Sequence, residues 1–221
     1  MKKMRALLLT VMLMMGMAQK GEAEIINVTV DGRSGPWNVS LNPLYNYGEP
    51  ANGQNNINFA PTVVDNTSGL PMNAGDKLTI SYVSEKALAG AGGTLWYDAN
   101  GVPNWDASGP GAPGFYLPNN QKPALLEVLM GAFASNGVIV GNPFKIGNGP
   151  TTSTIPVGSN QLLLGFNDGW YNDNGGAVIM KIAETAAPAP EPSTYALMGI
   201  GGLLVAFRLR KSGMVLSALS A

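Results

Sequence analysis

The chain has 221 residues, no cysteine and no histidine, and 13 Lys and Arg against 14 Asp and Glu. Without cysteine there is no disulfide framework. Without histidine the usual general base, the Ser-His-Asp and Cys-His nucleophile systems and His-ligated zinc all drop out. Between residues 24 and 187 six basic residues face twelve acidic ones, which argues against nucleic acid or anionic lipid as a partner.

The chain opens with Met1-Lys2-Lys3-Met4-Arg5, a basic stretch, followed by an apolar run over residues 6–18 and the small-residue site Gly21-Glu22-Ala23. That order predicts a secretory signal peptide over residues 1–23, cut by signal peptidase after Ala23, with Ala18 as the alternative. Residues 24–185 then read as one all-β domain. Runs rich in Val, Ile, Leu, Thr and Tyr are expected as strands at 25–30, 38–41, 77–83, 94–97, 125–134, 138–140, 161–166 and 177–182. Residues 77–83 alternate like a half-buried strand, whereas 161–166 is a continuous apolar run that suits a sandwich core. Asn100-Gly101 marks a turn. The pattern implies a β-sandwich or jelly roll. Residues 186–192 form a Pro/Ala linker, extended and open to a protease.

The loop over residues 166–176 is the stretch that can carry chemistry. Asp168, Asp173 and Asn174 offer side-chain oxygens there, and calcium takes six to eight oxygens at about 2.3–2.6 Å. The plainer reading is a hairpin loop rich in Asn, Asp and Gly because those residues tolerate turn conformations. Trp96, Trp105, Phe115, Tyr116, Trp170 and Tyr171 are candidates for a sugar-stacking platform or for core anchors. Asp98 and Asp106 are the carboxylates an enzyme reading would use, and they have little support.

From about residue 76 to 182 the chain resembles the LecA-type family of calcium-dependent galactophilic lectins. The resemblance rests on Gly75-Asp76-Lys77-Leu78, Gly109-Pro110-Gly111, Lys145-Ile146-Gly147, and Leu164-Gly165-Phe166-Asn167-Asp168 followed by Asp173-Asn174-Gly175-Gly176. It implies a galactose-binding-like β-sandwich. It also implies calcium held by Asp168, Asp173 and Asn174 with the backbone carbonyl of Trp170, or of Tyr171, and another carbonyl near residues 88–90.

The C-terminal stretch combines Pro190-Glu191-Pro192, an uncharged apolar run over residues 195–207, and the basic cluster Arg208, Arg210 and Lys211. Thirteen apolar residues fall short of the roughly 20 that span a bilayer as a helix. Snorkelling basic side chains extend the reach, and their charge favours a cytoplasmic end. This tripartite tail resembles the PEP-CTERM sorting signal, which implies processing by the membrane protease-transpeptidase exosortase. Residues 193–221 are accordingly expected as a membrane-sorting helix with a basic tail, the only part to meet the membrane, and then only before processing. The resulting expectation is a non-catalytic, surface- or matrix-associated carbohydrate-binding module, calcium-dependent and exported. The alternative is a structural component of an exopolysaccharide matrix in which calcium only stabilises the fold.

Overall fold

Alternating side chains put one face of each strand into a shared core. In the computed structural model, β1 (Ile25–Asp31), β3 (Lys77–Ser84) and β11 (Gly175–Thr185) largely alternate inward and outward residues, the period of a sheet with one wet face. The structure describes residues 23–45, 59–90, 95–107, 116–121, 123–169, 171–188 and 199–203. Glu22–Ala187 forms one compact unit.

Two antiparallel sheets make up that unit. One contains β5 (Leu95–Tyr97), β4 (Ala87–Ala89), β11, β3 and β9 (Thr151–Thr154) in that order, with β1 also paired to β11. The other runs β2 (Thr62–Asp65), β10 (Gln161–Phe166), β6 (Leu129–Ser135) and β7 (Val138–Ile139), with β8 (Phe144–Lys145) also paired to β6. The all-β expectation therefore holds, in two antiparallel sheets with little helix.

A main core joins Val30, Leu78, Ile80, Val178, Met180 and Ile182 of the first sheet to Val64, Phe133, Leu162, Leu164 and Phe166 of the second. A second cluster, with Trp37, Tyr116, Leu117 and Val128, covers the other face of the second sheet through Met130, Ala132, Ala134 and Leu163. This second layer explains why β10 is apolar at successive positions. Both of its faces are buried, so alternation disappears.

Three expectations need adjustment. Residues 38–41 are a turn, because the Asn38 side chain accepts the Ser40 N–H at 2.9 Å and the Asn38 carbonyl accepts the Leu41 N–H at 3.2 Å. The strand expected from 125 begins at Leu129, since Glu127 takes a left-handed φ of 60° that interrupts an extended run. Strands β2, β4, β8 and β9 were not anticipated; at two to four residues, they lie at or below the shortest run in which alternation can be counted. The Asn100-Gly101 turn is present, with Gly101 at φ 84°.

Beyond the unit, residues 199–203 are helical and exposed. The remainder of the expected sorting helix and the expected signal peptide through residue 22 lie outside the described residues. Among those that are described, no helix is long and apolar enough to cross a membrane.

Candidate functional site

Strand β10 ends at Phe166, and the chain turns back into β11 through the loop singled out above. Backbone contacts set the loop's shape. The Asp168 N–H reaches the Phe166 carbonyl at 3.1 Å, the Asn174 N–H reaches the Tyr171 carbonyl at 3.3 Å, and the buried Tyr171 hydroxyl donates to the Phe166 carbonyl at 2.9 Å. Asn167 locks the loop to the chain before β6. It donates its backbone N–H to the Val128 carbonyl at 3.0 Å and accepts the Glu127 N–H at 2.9 Å.

That contact brings in a residue the sequence reading missed. Glu127 is fully buried, and the Asn174 amide nitrogen donates both to its Oε1, at 2.6 Å, and to Asp168 Oδ2, at 2.8 Å. The side-chain oxygen of Asn174 accepts the Gly90 N–H at 3.3 Å, which fixes which way the amide points. Asp168 Oδ1 accepts the Gly169 N–H at 2.6 Å, and the Asn174 carbonyl accepts Arg33 Nε–H at 2.8 Å. Burial, reinforced by repulsion from Asp168, pushes the Glu127 carboxyl well above the usual carboxylate range. Its Oε2 receives no hydrogen bond. The raised pKa lets the carboxyl keep its proton to higher pH, which lowers the charge cost of holding two acids side by side. The Tyr97 hydroxyl is buried beside Glu127 without a well-formed hydrogen bond, and burial raises its pKa far above the usual phenol value. A lone acid inside the apolar stretch of residues 124–130 was the available sequence signal.

The structure thus brings Asp168 and Asn174 together and leaves Asp173 exposed on a short 3-10 turn, Tyr171–Asp173. Partial desolvation of its carboxyl and the nearby charge of Asp168 raise the Asp173 pKa. The Asp173 backbone packs so closely on Gly90 that a side chain at position 90 would collide with the Asp173 carbonyl. Trp170 lies outside the described residues. Among those described, no group of three or more His, Cys, Asp or Glu side chains is arranged to hold a metal ion.

The aromatic candidates divide. Tyr116 and Tyr171 are core residues, the former edge-on to Trp37 at 5.6 Å between ring centroids. Trp96 on β5 is 56% exposed and Trp105, on the loop that follows, is 40% exposed. Phe115 lies outside the described residues. Asp98 is engaged by the Asn100 N–H at 2.9 Å and the Asn148 amide at 3.0 Å.

At the other end of the chain, Pro190, Glu191, Pro192, Arg208 and Arg210 lie outside the described residues, whereas Ala23 is exposed just before β1. The family model for the PEP-CTERM protein-sorting motif matches residues 188–211. No curated protein and no solved structure matches the chain, so the likeness to galactophilic lectins has only its short motifs behind it. The sorting match begins directly after the last residue of the β-unit and includes the Pro-Glu-Pro tripeptide, the apolar run and the basic cluster. The chain therefore carries a PEP-CTERM protein-sorting motif, the mark of an exported protein handed to exosortase.

Proposed function

We propose that the β-unit is a non-catalytic carbohydrate-binding module delivered to the cell surface or extracellular matrix by exosortase sorting. The observation that carries this reading is the exposure of Trp96 and Trp105, while Trp37, Tyr116 and Tyr171 are buried. A half-exposed indole forfeits burial, and a flat apolar face beside water suits stacking on a sugar ring. An antiparallel sandwich presents such residues on an edge strand and its loop, away from the core that holds the fold. A glycan array probed with the parent protein and with Trp96→Ala and Trp105→Ala is the test. Binding that both substitutions abolish supports the reading, and binding indifferent to both, or none at all, defeats it.

A second reading keeps calcium, as a stabiliser of the fold in a matrix component. The orphaned Oε2 of Glu127 beside Asp168 favours it, because a hard cation would there find two carboxylates. Glu127 and Asp168 would hold the ion; Asn174 presents N–H to them, and Asp173 is exposed. Calcium at a hundredfold excess over its dissociation constant adds about 2.7 kcal/mol of stability. Equal melting temperatures in calcium and in chelator rule this reading out.

A further inference from the structure

Both ends of the β-unit leave from one pole. β1 starts beside the end of β11, with Ile25 opposite Ala183 and the Glu184 N–H on the Glu24 carbonyl at 2.8 Å. Past β11 the Ala187 N–H is held by Asp76 Oδ1 at 2.7 Å. The Asp76 carbonyl in turn accepts the Ile155 N–H at 2.8 Å, where β3 begins and β9 ends. The loop from β9 to β10 carries Val157, 86% exposed.

The second sheet adds its own turn to this pole. The Asn160 N–H, just before β10, bonds the Ala134 carbonyl at the end of β6 at 2.9 Å. Asn42 is pinned to the β6–β7 turn, donating to the Gly137 carbonyl and accepting the Ile139 N–H, both at 2.8 Å. Leu41 (52% exposed), Leu44 (83%) and Val138 (48%) are thereby held at the same end as Val157. Single exposed apolar residues need no explanation, but four gathered where the sorting segment departs do.

Chain length says what they face. The β-unit ends at Ala187, the sorting motif starts at residue 188, and the apolar run starts at residue 195. Eight residues reach at most about 28 Å. An apolar run seated in the bilayer keeps this pole within that distance of the lipid.

We propose that this pole, through Leu41, Leu44, Val138 and Val157, rests on the lipid surface of the membrane while the sorting segment anchors the chain. Apolar side chains entering the interface contribute in proportion to the area they bury. Glu24, Asp76 and Glu184 stand at the same pole, with Lys77 following Asp76 in sequence, so a zwitterionic surface is preferred over an anionic one. A second copy is the weaker occupant, because every anchored molecule turns this end toward its own membrane.

The test uses the full chain reconstituted in phosphatidylcholine vesicles, with Val157→Trp and, separately, Leu44→Trp as reporters. Quenching by brominated lipids, read against the parent protein, is expected to place each introduced indole roughly 5–10 Å below the headgroup surface. Leu41→Asp added to either reporter shifts it toward the aqueous quencher acrylamide. Reporters as open to acrylamide in vesicles as in dilute detergent overturn the proposal. Shielding that depends on protein concentration in detergent overturns it in favour of a second copy, and shielding that appears only when exosortase is added overturns it in favour of a protein partner.

Discussion

At the scale of single residues, the informative group is the acid pair bridged by Asn174. A buried carboxyl is tolerated only when its hydrogen-bonding capacity is met or its charge removed. Glu127 uses both devices, taking the Asn174 amide on one oxygen and, through its raised pKa, a proton on the other. The folded pKa lies above the unfolded value near 4.5, so the stability linked to this proton is complete below pH 4.5 and is lost as the pH rises toward the folded pKa. Glu127→Gln supplies a permanent donor in the proton's place. Its melting temperature is expected to exceed the parent's at about pH 8 and to fall level with or below it at about pH 4. Asn174→Ala strips both acids of their shared donor and is expected to cost about 1.5–3 kcal/mol in urea unfolding at neutral pH. A loss no larger than about 0.5 kcal/mol, the scatter of surface substitutions, would remove the special status of the bridge. Asp168 and Asn174 were legible in the sequence because turn residues in a loop between strong strands stand out. Glu127 was not, since only the left-handed backbone at that position shows why an acid in an apolar run faces the loop.

At the scale of elements, β10 was legible to the residue and β9 not at all. A six-residue apolar run announces a buried strand, whereas Thr151–Thr154 is an edge strand of hydroxyl residues whose pairing with β3 is set by the sheet. Burial of β10 on both faces leaves no slack at Gly165, where a side chain would strike the Gly35 carbonyl and the Pro36 backbone. Backbone cannot step aside as a side-chain tip can, so Gly165→Ala is expected to cost about 3 kcal/mol by thermal unfolding. Gly175→Ala on β11 is the control for a crowding effect, because the added carbon meets nothing nearer than a Leu88 methyl at 4.0 Å and the backbone there is not left-handed. The end of β11 carries a second acid pair. Burial, contact with Asp76 and repulsion from Asp76 and Glu24 push Glu184 up to about 7. Asp76 is held low, despite its burial, by the Ala187 N–H together with Glu184 and Asn73. The stability linked to Glu184 is therefore complete below pH 4.5 and lost as the pH rises through about 7. Glu184→Gln is expected to flatten the fall of melting temperature across that window, and an unchanged slope would mean the carboxyl is already hydrated and ionised.

At the scale of the whole molecule, the sequence carries two kinds of information at very different densities. Sorting is written in local order, a tripeptide followed by an apolar run and basic residues, and can be read without any fold. Site geometry depends on which side chains meet after folding, and here it joins partners 40 or more residues apart, such as Glu127 with Asn174. The two layers also occupy separate stretches of the chain, because the β-unit ends at Ala187 and the sorting match starts at residue 188. Replacing Pro190, Glu191 and Pro192 together by Ala therefore tests sorting at positions outside the compact β-unit. The fold should keep its melting temperature within about 0.5 kcal/mol, the scatter of surface substitutions. The tripeptide is what the processing enzyme is expected to read, so the altered chain should accumulate in the membrane fraction at unprocessed size instead of reaching the surface. Pulse-labelling with fractionation and a parallel melt distinguishes the outcomes. Normal release with an intact fold would show that the tripeptide is dispensable. Loss of both release and thermal stability would show that the linker packs on the β-unit and that the two layers are not independent.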